Sequence, residues 1–166
     1  GQYGKNKPEF FELRENEAGF EAETRLVINN PPQAHRITGT TEPTTRRHFK
    51  NQWYLPFMRR LGLVYPNGLE HTIFTSATPI SDSEIQVLQW VYRNDTEEDC
   101  SADEINQWDR SVVMEDKEIL ESTDPDAPIT LSRHVEQNMR SDRPGILMRQ
   151  RLLQLLQAHG EEEIHR

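Results

Sequence analysis

Every strong strand signal in this chain comes before residue 94, and both strong helix signals come after residue 100. Antiparallel strands followed by helices specify an α+β domain, because alternating units would be needed to build a parallel sheet. Residues 83–93 (SEIQVLQWVYR) form the clearest strand. Ile85, Val87, Gln89 and Val91 fall on one face, and Gln86, Leu88, Trp90 and Tyr92 on the other. Residues 10–14 and 20–28 read as two strands around the turn at residues 15–19. Residues 29–45 contain Pro31, Pro32 and Pro43 and read as a surface loop or mobile excursion. Residues 46–58 read as one aromatic-rich strand in which Pro56 favours an edge or a bend. Pro66-Asn67-Gly68 marks a turn into another strand, and residues 78–82 (TPISD) turn the chain again.

Two helices close the chain. Ser101 followed by Glu104 is a capping box, and Ile105, Trp108, Val112 and Ile119 then share one helical stripe. The second helix covers about residues 143–159, with Pro144 in its first turn and Gly160 as its stop. Leu152, Leu153, Leu155 and Leu156 are its expected inward residues, and the tail EEEIHR is expected to fray.

Asp116 stands in the middle of the first helix's apolar stripe. A carboxylate facing a core is unfavourable unless a cation or several hydrogen bonds compensate. Helix geometry alone favours a structural ion pair, with Arg46, Arg47, Arg110, Arg140 and Arg143 available, over a metal or catalytic role. Asp109, close to the same stripe, is either a hydrogen-bond acceptor that orients a neighbouring site residue or a cap on its polar edge.

The chain has 166 residues, enough for one domain, and a formal net charge of −9. That charge argues against a nucleic-acid groove or an anionic membrane as partner. No apolar run reaches bilayer length and the first residues are no signal peptide, so a cytoplasmic protein is expected. The single cysteine, Cys100, excludes an internal disulfide and any cluster or zinc site built from this chain's thiolates alone. The carboxylates around Cys100 should raise its thiol pKa and keep it unreactive. The abrupt beginning, GQYGKNKPEF, reads as a polar loop entering a hairpin, and residues 1–166 are expected to be the C-terminal portion of a larger protein.

In order, the chain shows the Thr78-Pro79 turn, a strand ending Arg93-Asn94, an acidic linker, and a tryptophan-bearing helix with Glu115-Asp116-Lys117-Glu118-Ile119-Leu120-Glu121. It finishes with Ser141-Asp142-Arg143-Pro144-Gly145-Ile146 opening an amphipathic helix. Together these resemble the C-terminal catalytic domain of Rieske non-haem iron oxygenases, large subunits of the vanillate demethylase and phenylpropionate dioxygenase type. The likeness is closest over residues 70–159.

The resemblance implies a helix-grip fold (START/Bet v 1-like), a curved antiparallel sheet around a long helix, incomplete in this chain. It also implies a mononuclear Fe(II) held by two histidines and one carboxylate, which Asp116 would supply. Electrons would come from a Rieske [2Fe–2S] cluster of a neighbouring subunit in a homotrimer, fed by a ferredoxin, an NAD(P)H-dependent reductase, or both. The substrate would be an apolar aromatic or alicyclic compound. Gln86, Leu88 and Trp90, expected to face the helix, and Trp108 would contact it, Gln86 supplying one oriented hydrogen bond. A core tryptophan is the ordinary reading of Trp108.

The family's closely spaced histidine ligands and its cluster domain find no match in this chain. Its own histidines, His35, His48, His71, His134, His159 and His165, lack that spacing. His71 starts a strand and reads as a surface histidine or a pocket residue, and His159 and His165 as exposed. Alone, the chain is expected to be an incomplete, inactive oxygenase. Two other classes stay open: a non-catalytic helix-grip module binding an apolar small molecule, and a structural or oligomerisation domain using residues 49–57 as a subunit contact.

Overall fold

The computed structural model describes residues 8–124, 126–131 and 136–164. Expectations for His134 and His165 and for residues 1–7 lie outside them. Six strands form one antiparallel sheet in chain order: β1 (Phe11–Asn16), β2 (Gly19–Asn29), β3 (Thr44–Tyr54), β4 (Met58–Val64), β5 (Glu70–Ser81) and β6 (Glu84–Arg93). Among the described residues three helices complete the α+β architecture: α1 (His35–Thr38), α2 (Ala102–Glu121) and α3 (Arg143–Ala158).

Cross-strand register assigns the faces. Phe20 pairs with Trp53, Phe49 with Leu63, Leu63 with His71, and Ile73 with Val91. Directly paired residues share a face, so these residues lie on one side of the sheet. Both long helices pack on that side. Leu147 of α3 lies against Phe20, Ala22 and Trp53, with Met148 and Leu152 beside it. Ile105 of α2 lies against Ile37 and Cys100, with Val91 and Trp108 beside them. Leu63, Tyr65 and Leu69 form a third buried group. The opposite face carries charge, with Glu23 receiving both Arg14 at 2.5 Å and His48 at 3.0 Å. Towards β6 it carries Phe74 stacked on Trp90, with ring centroids 5.9 Å apart.

Several expectations are corrected. Residues 46–58 are not one strand. β3 stops at Tyr54, the chain turns through a cis Leu55–Pro56 bond, and β4 begins at Met58. The turn absorbs Pro56, which cannot donate to a ladder, so β3 runs between β2 and β4 rather than along an edge. β5 continues through Ser81, with an irregular register between Pro79 and Ser81, and the chain turns just after it.

Residues 29–45 are more ordered than a surface excursion. They hold a 3-10 turn, Pro32–Ala34, and then α1. The buried Asn30 side chain donates to the Thr40 and Glu42 carbonyls and accepts from the Thr38 hydroxyl at 3.0 Å. A polar loop can enter the interior when one amide satisfies its backbone in this way.

At the β1–β2 hairpin, a Cβ on Gly19 would stand 2.1 Å from the Trp53 carbonyl oxygen, so only glycine fits that approach. In α3, Leu147 is the buried residue, and Leu152, Leu153, Leu155 and Leu156 are half-buried.

Candidate functional site

α2 begins firmly. The Ser101 hydroxyl accepts from the Glu104 backbone N–H at 3.3 Å, and the Ser101 N–H donates to the Glu104 carboxylate at 3.2 Å. Arg36, within α1, meets the same carboxylate at 3.0 Å. Glu104 is held below the ordinary carboxylate range, chiefly by the Ser101 hydrogen bonds. One turn later Ile105 is buried, and Trp108 is half-buried with it against Val91 and Cys100. That is the situation of a core tryptophan.

Asp109 is buried too, and its Oδ2 lies 3.2 Å from His71 Nε2. His71 is 2% exposed, which corrects its reading as a surface histidine. Its position on the helix-covered face of β5 puts it under α2, and its other ring nitrogen, Nδ1, is buried with no hydrogen-bond partner among the described residues. The sequence places Asp109 near the stripe and offers His71 as a surface or pocket residue, but nothing in it pairs the two.

Beyond Asp109 the helix leaves the sheet. Val112 is 41% exposed and Ile119 64%, and Met114 and Leu120 are exposed as well. Asp116 is also exposed, and among the described residues it has no hydrogen-bond or ion-pair partner. This corrects the expectation that Asp116 faces a core. The stripe is real, but the sheet covers only its first half. Asp116 is therefore a solvated carboxylate flanked by two exposed apolar side chains, Val112 and Ile119, and none of the described arginines pairs with it.

The β6 faces are also the reverse of expectation. Gln86, Leu88 and Trp90 pair with Thr78, Ser76 and Phe74 on the open face, and all three are exposed. Val87, Gln89, Val91 and Arg93 occupy the face that α2 covers. Strand periodicity separates two sets of residues, and only packing decides which one meets the helix.

Near the start of α2 the interior is polar. Arg93, only 4% exposed as a side chain, binds both Asp95 oxygens and donates to the Ile37 carbonyl at 2.7 Å. The Arg93 hydrogen bonds hold the Asp95 carboxyl below its ordinary range, outweighing burial. Burial raises the Tyr65 phenol, against the opposing charges of Arg47 and Arg93. The Cys100 thiol is raised as expected, but burial is the main cause, with Glu104 and Asp95 adding and Arg93 opposing.

One large concavity borders this framework, and another lies apart from it beside β1 and β2. An open polar cleft of about 860 Å³ lies among His35, Arg36, Asn67, Asn94 and Asp99. A largely apolar one of about 820 Å³ lies among Phe10, Phe11, Leu26 and Arg140. Neither is lined by Asp116. Among the described residues no group of three or more His, Cys, Asp or Glu side chains could hold a metal ion. No helix among them is long and apolar enough to cross a membrane.

A six-stranded antiparallel sheet with two long helices on one face is an α+β domain of helix-grip-like type. Residues 6–158 match the family described as the vanillate O-demethylase oxygenase C-terminal domain, and the chain belongs to that family. It is thus related to the C-terminal part of Rieske-type oxygenases, as the order of its motifs implies. A comparison with curated proteins finds no match.

Proposed function

We propose that residues 1–166 are the C-terminal part of the catalytic domain of a Rieske-type oxygenase. It would hydroxylate or oxidatively demethylate an aromatic or alicyclic substrate with O2. The observation that carries this reading is the family match over residues 6–158, which includes all of α2 and its Asp116. Asp116 would be the carboxylate ligand of a mononuclear Fe(II). When bound, that iron supplies O2 activation.

The described residues offer one candidate ligand rather than a set, so the histidine ligands and the Rieske [2Fe–2S] cluster belong outside them. What this chain contributes is placement. α2 is capped and clamped at its start, and it carries Asp116 clear of the sheet between Val112 and Ile119, two apolar neighbours suited to an apolar substrate. A free carboxylate can bind a metal without first breaking an ion pair. Electrons would come from NAD(P)H through a reductase, with or without a ferredoxin, and a homotrimer would bring each cluster to a neighbour's iron.

The test uses the complete protein that contains these residues, with iron and acid-labile sulfide measured before and after Asp116→Ala. Loss of the iron not accounted for by sulfide, with the sulfide retained, is the expected result. Unchanged mononuclear iron and turnover would overturn the assignment. A protein with neither iron nor sulfide would leave a non-catalytic binding module.

A further inference from the structure

We propose that His71 is a positioning residue that acts through Asp109 to fix α2, and so to fix the point in space from which Asp116 is presented. The inference rests on the reading of Asp116 as a ligand, and its helix-anchoring half can be tested separately.

Within α2 only Ile105 and Asp109 are buried. Ile105 and Trp108 make apolar contacts, which tolerate small slides and rotations because dispersion is non-directional. The Asp109–His71 contact does not, since a hydrogen bond weakens steeply off its axis. His71 is itself rigid. It sits in β5 with β4 paired on one side at Leu63 and β6 on the other at Arg93. Asp109 is therefore the last buried, directional anchor before the helix runs free.

The lever is long. Asp116 is seven residues from Asp109, which is about 10 Å along the axis and within about 20° of the same face. A 10° tilt about Ile105 would carry Asp116 sideways by about 3 Å. Metal–ligand distances tolerate only about 0.2 Å. Apolar contacts alone would leave such a tilt lightly opposed.

The choice of residues points the same way. A buried His–Asp pair with one ring nitrogen unpartnered is a poor way to fill a core, and apolar residues of similar volume often serve stability better. Direction is what the pair adds.

The experiment compares His71→Asn, His71→Gln and Asp109→Leu in the complete protein. The glutamine amide reaches the His71 Nε2 position and can donate to Asp109, whereas the asparagine amide stops at the Nδ1 position. Asp109→Leu keeps the branched shape and removes the bond. Amide hydrogen exchange over residues 110–121 is read against β2 and β3, together with Co(II) affinity of the metal-free mononuclear site.

His71→Asn and Asp109→Leu are expected to speed exchange over residues 110–121 by about tenfold relative to the sheet. They should also weaken Co(II) binding about 10–100-fold, with His71→Gln restoring most of both. Unchanged exchange and Co(II) affinity in His71→Asn, or in Asp109→Leu should the asparagine variant not fold, would overturn the proposal. So would equal losses in His71→Asn and His71→Gln. If Asp116→Ala leaves Co(II) affinity intact, the ligand reading fails, and the exchange data alone decide whether His71 anchors the helix.

Discussion

Asp95→Asn should cost this domain about 3 kcal/mol at neutral pH. The Arg93 side chain is 4% exposed, and Asp95 supplies its counter-charge through two hydrogen bonds. Breaking a buried pair by removing one partner costs about 3–5 kcal/mol, because the surviving charge stays buried without compensation. The lower end applies, since Arg93 keeps the Ile37 carbonyl at 2.7 Å and the asparagine oxygen can still accept one bond. Against a typical domain stability of about 5–15 kcal/mol the variant still folds. A loss of that size moves a urea midpoint by about 1–2 M.

The pH dependence sharpens the test. The Arg93 hydrogen bonds depress the folded-state pKa of Asp95, and an unfolded aspartate titrates near about 3.9. The pair's stabilisation is therefore fully present above about pH 4 and is lost as pH falls through the depressed value. The slope is at most about 1.4 kcal/mol per pH unit. Asparagine does not titrate, so the gap between wild type and variant should narrow on acidification. Urea unfolding followed by tryptophan fluorescence at neutral pH and at pH values below 4 measures it. A gap below about 1 kcal/mol at neutral pH, or one that does not change with acid, would refute the reasoning. The consequence reaches the site, because the same guanidinium holds the end of α1, next to the Arg36–Glu104 contact at the start of α2.

Gly19→Ala should destabilise by about 2 kcal/mol or more, because its Cβ would meet the Trp53 carbonyl at 2.1 Å. Thermal unfolding measures this, and an unchanged melting temperature would mean that the hairpin can open. Trp53→Ala should cost about 4 kcal/mol through the cavity left between Phe20 and Leu147, seen as a lower denaturant midpoint. Asp116→Ala should leave stability within about 0.5 kcal/mol of wild type, since the side chain is exposed and unpartnered. A large loss in the same unfolding assay would show that Asp116 has a structural partner.

Much of the framework was legible in the residues. The capping box at Ser101 and Glu104 set the start of α2. Pro144 and Gly160 bracketed α3, whose C-cap precedes a glycine at φ 71°. Alternation sets β6 to within a residue, and the order of motifs points to the family. Local chemistry decides these features, since caps, turns and periodicity act within a few residues.

Tertiary packing decided the rest. Periodicity divided β6 into two faces but could not say that Val91, rather than Trp90, meets the helix. It also drew the stripe through Asp116 without showing that α2 leaves the sheet after Asp109, which puts the carboxylate in solvent. The His71–Asp109 contact joins residues 38 positions apart, and nothing local in either segment signals it. The sequence alone determined β6, the helix that carries Asp116, and the family. Only the assembled sheet determined which carboxylate is buried and which is free, because exposure depends on what other segments cover.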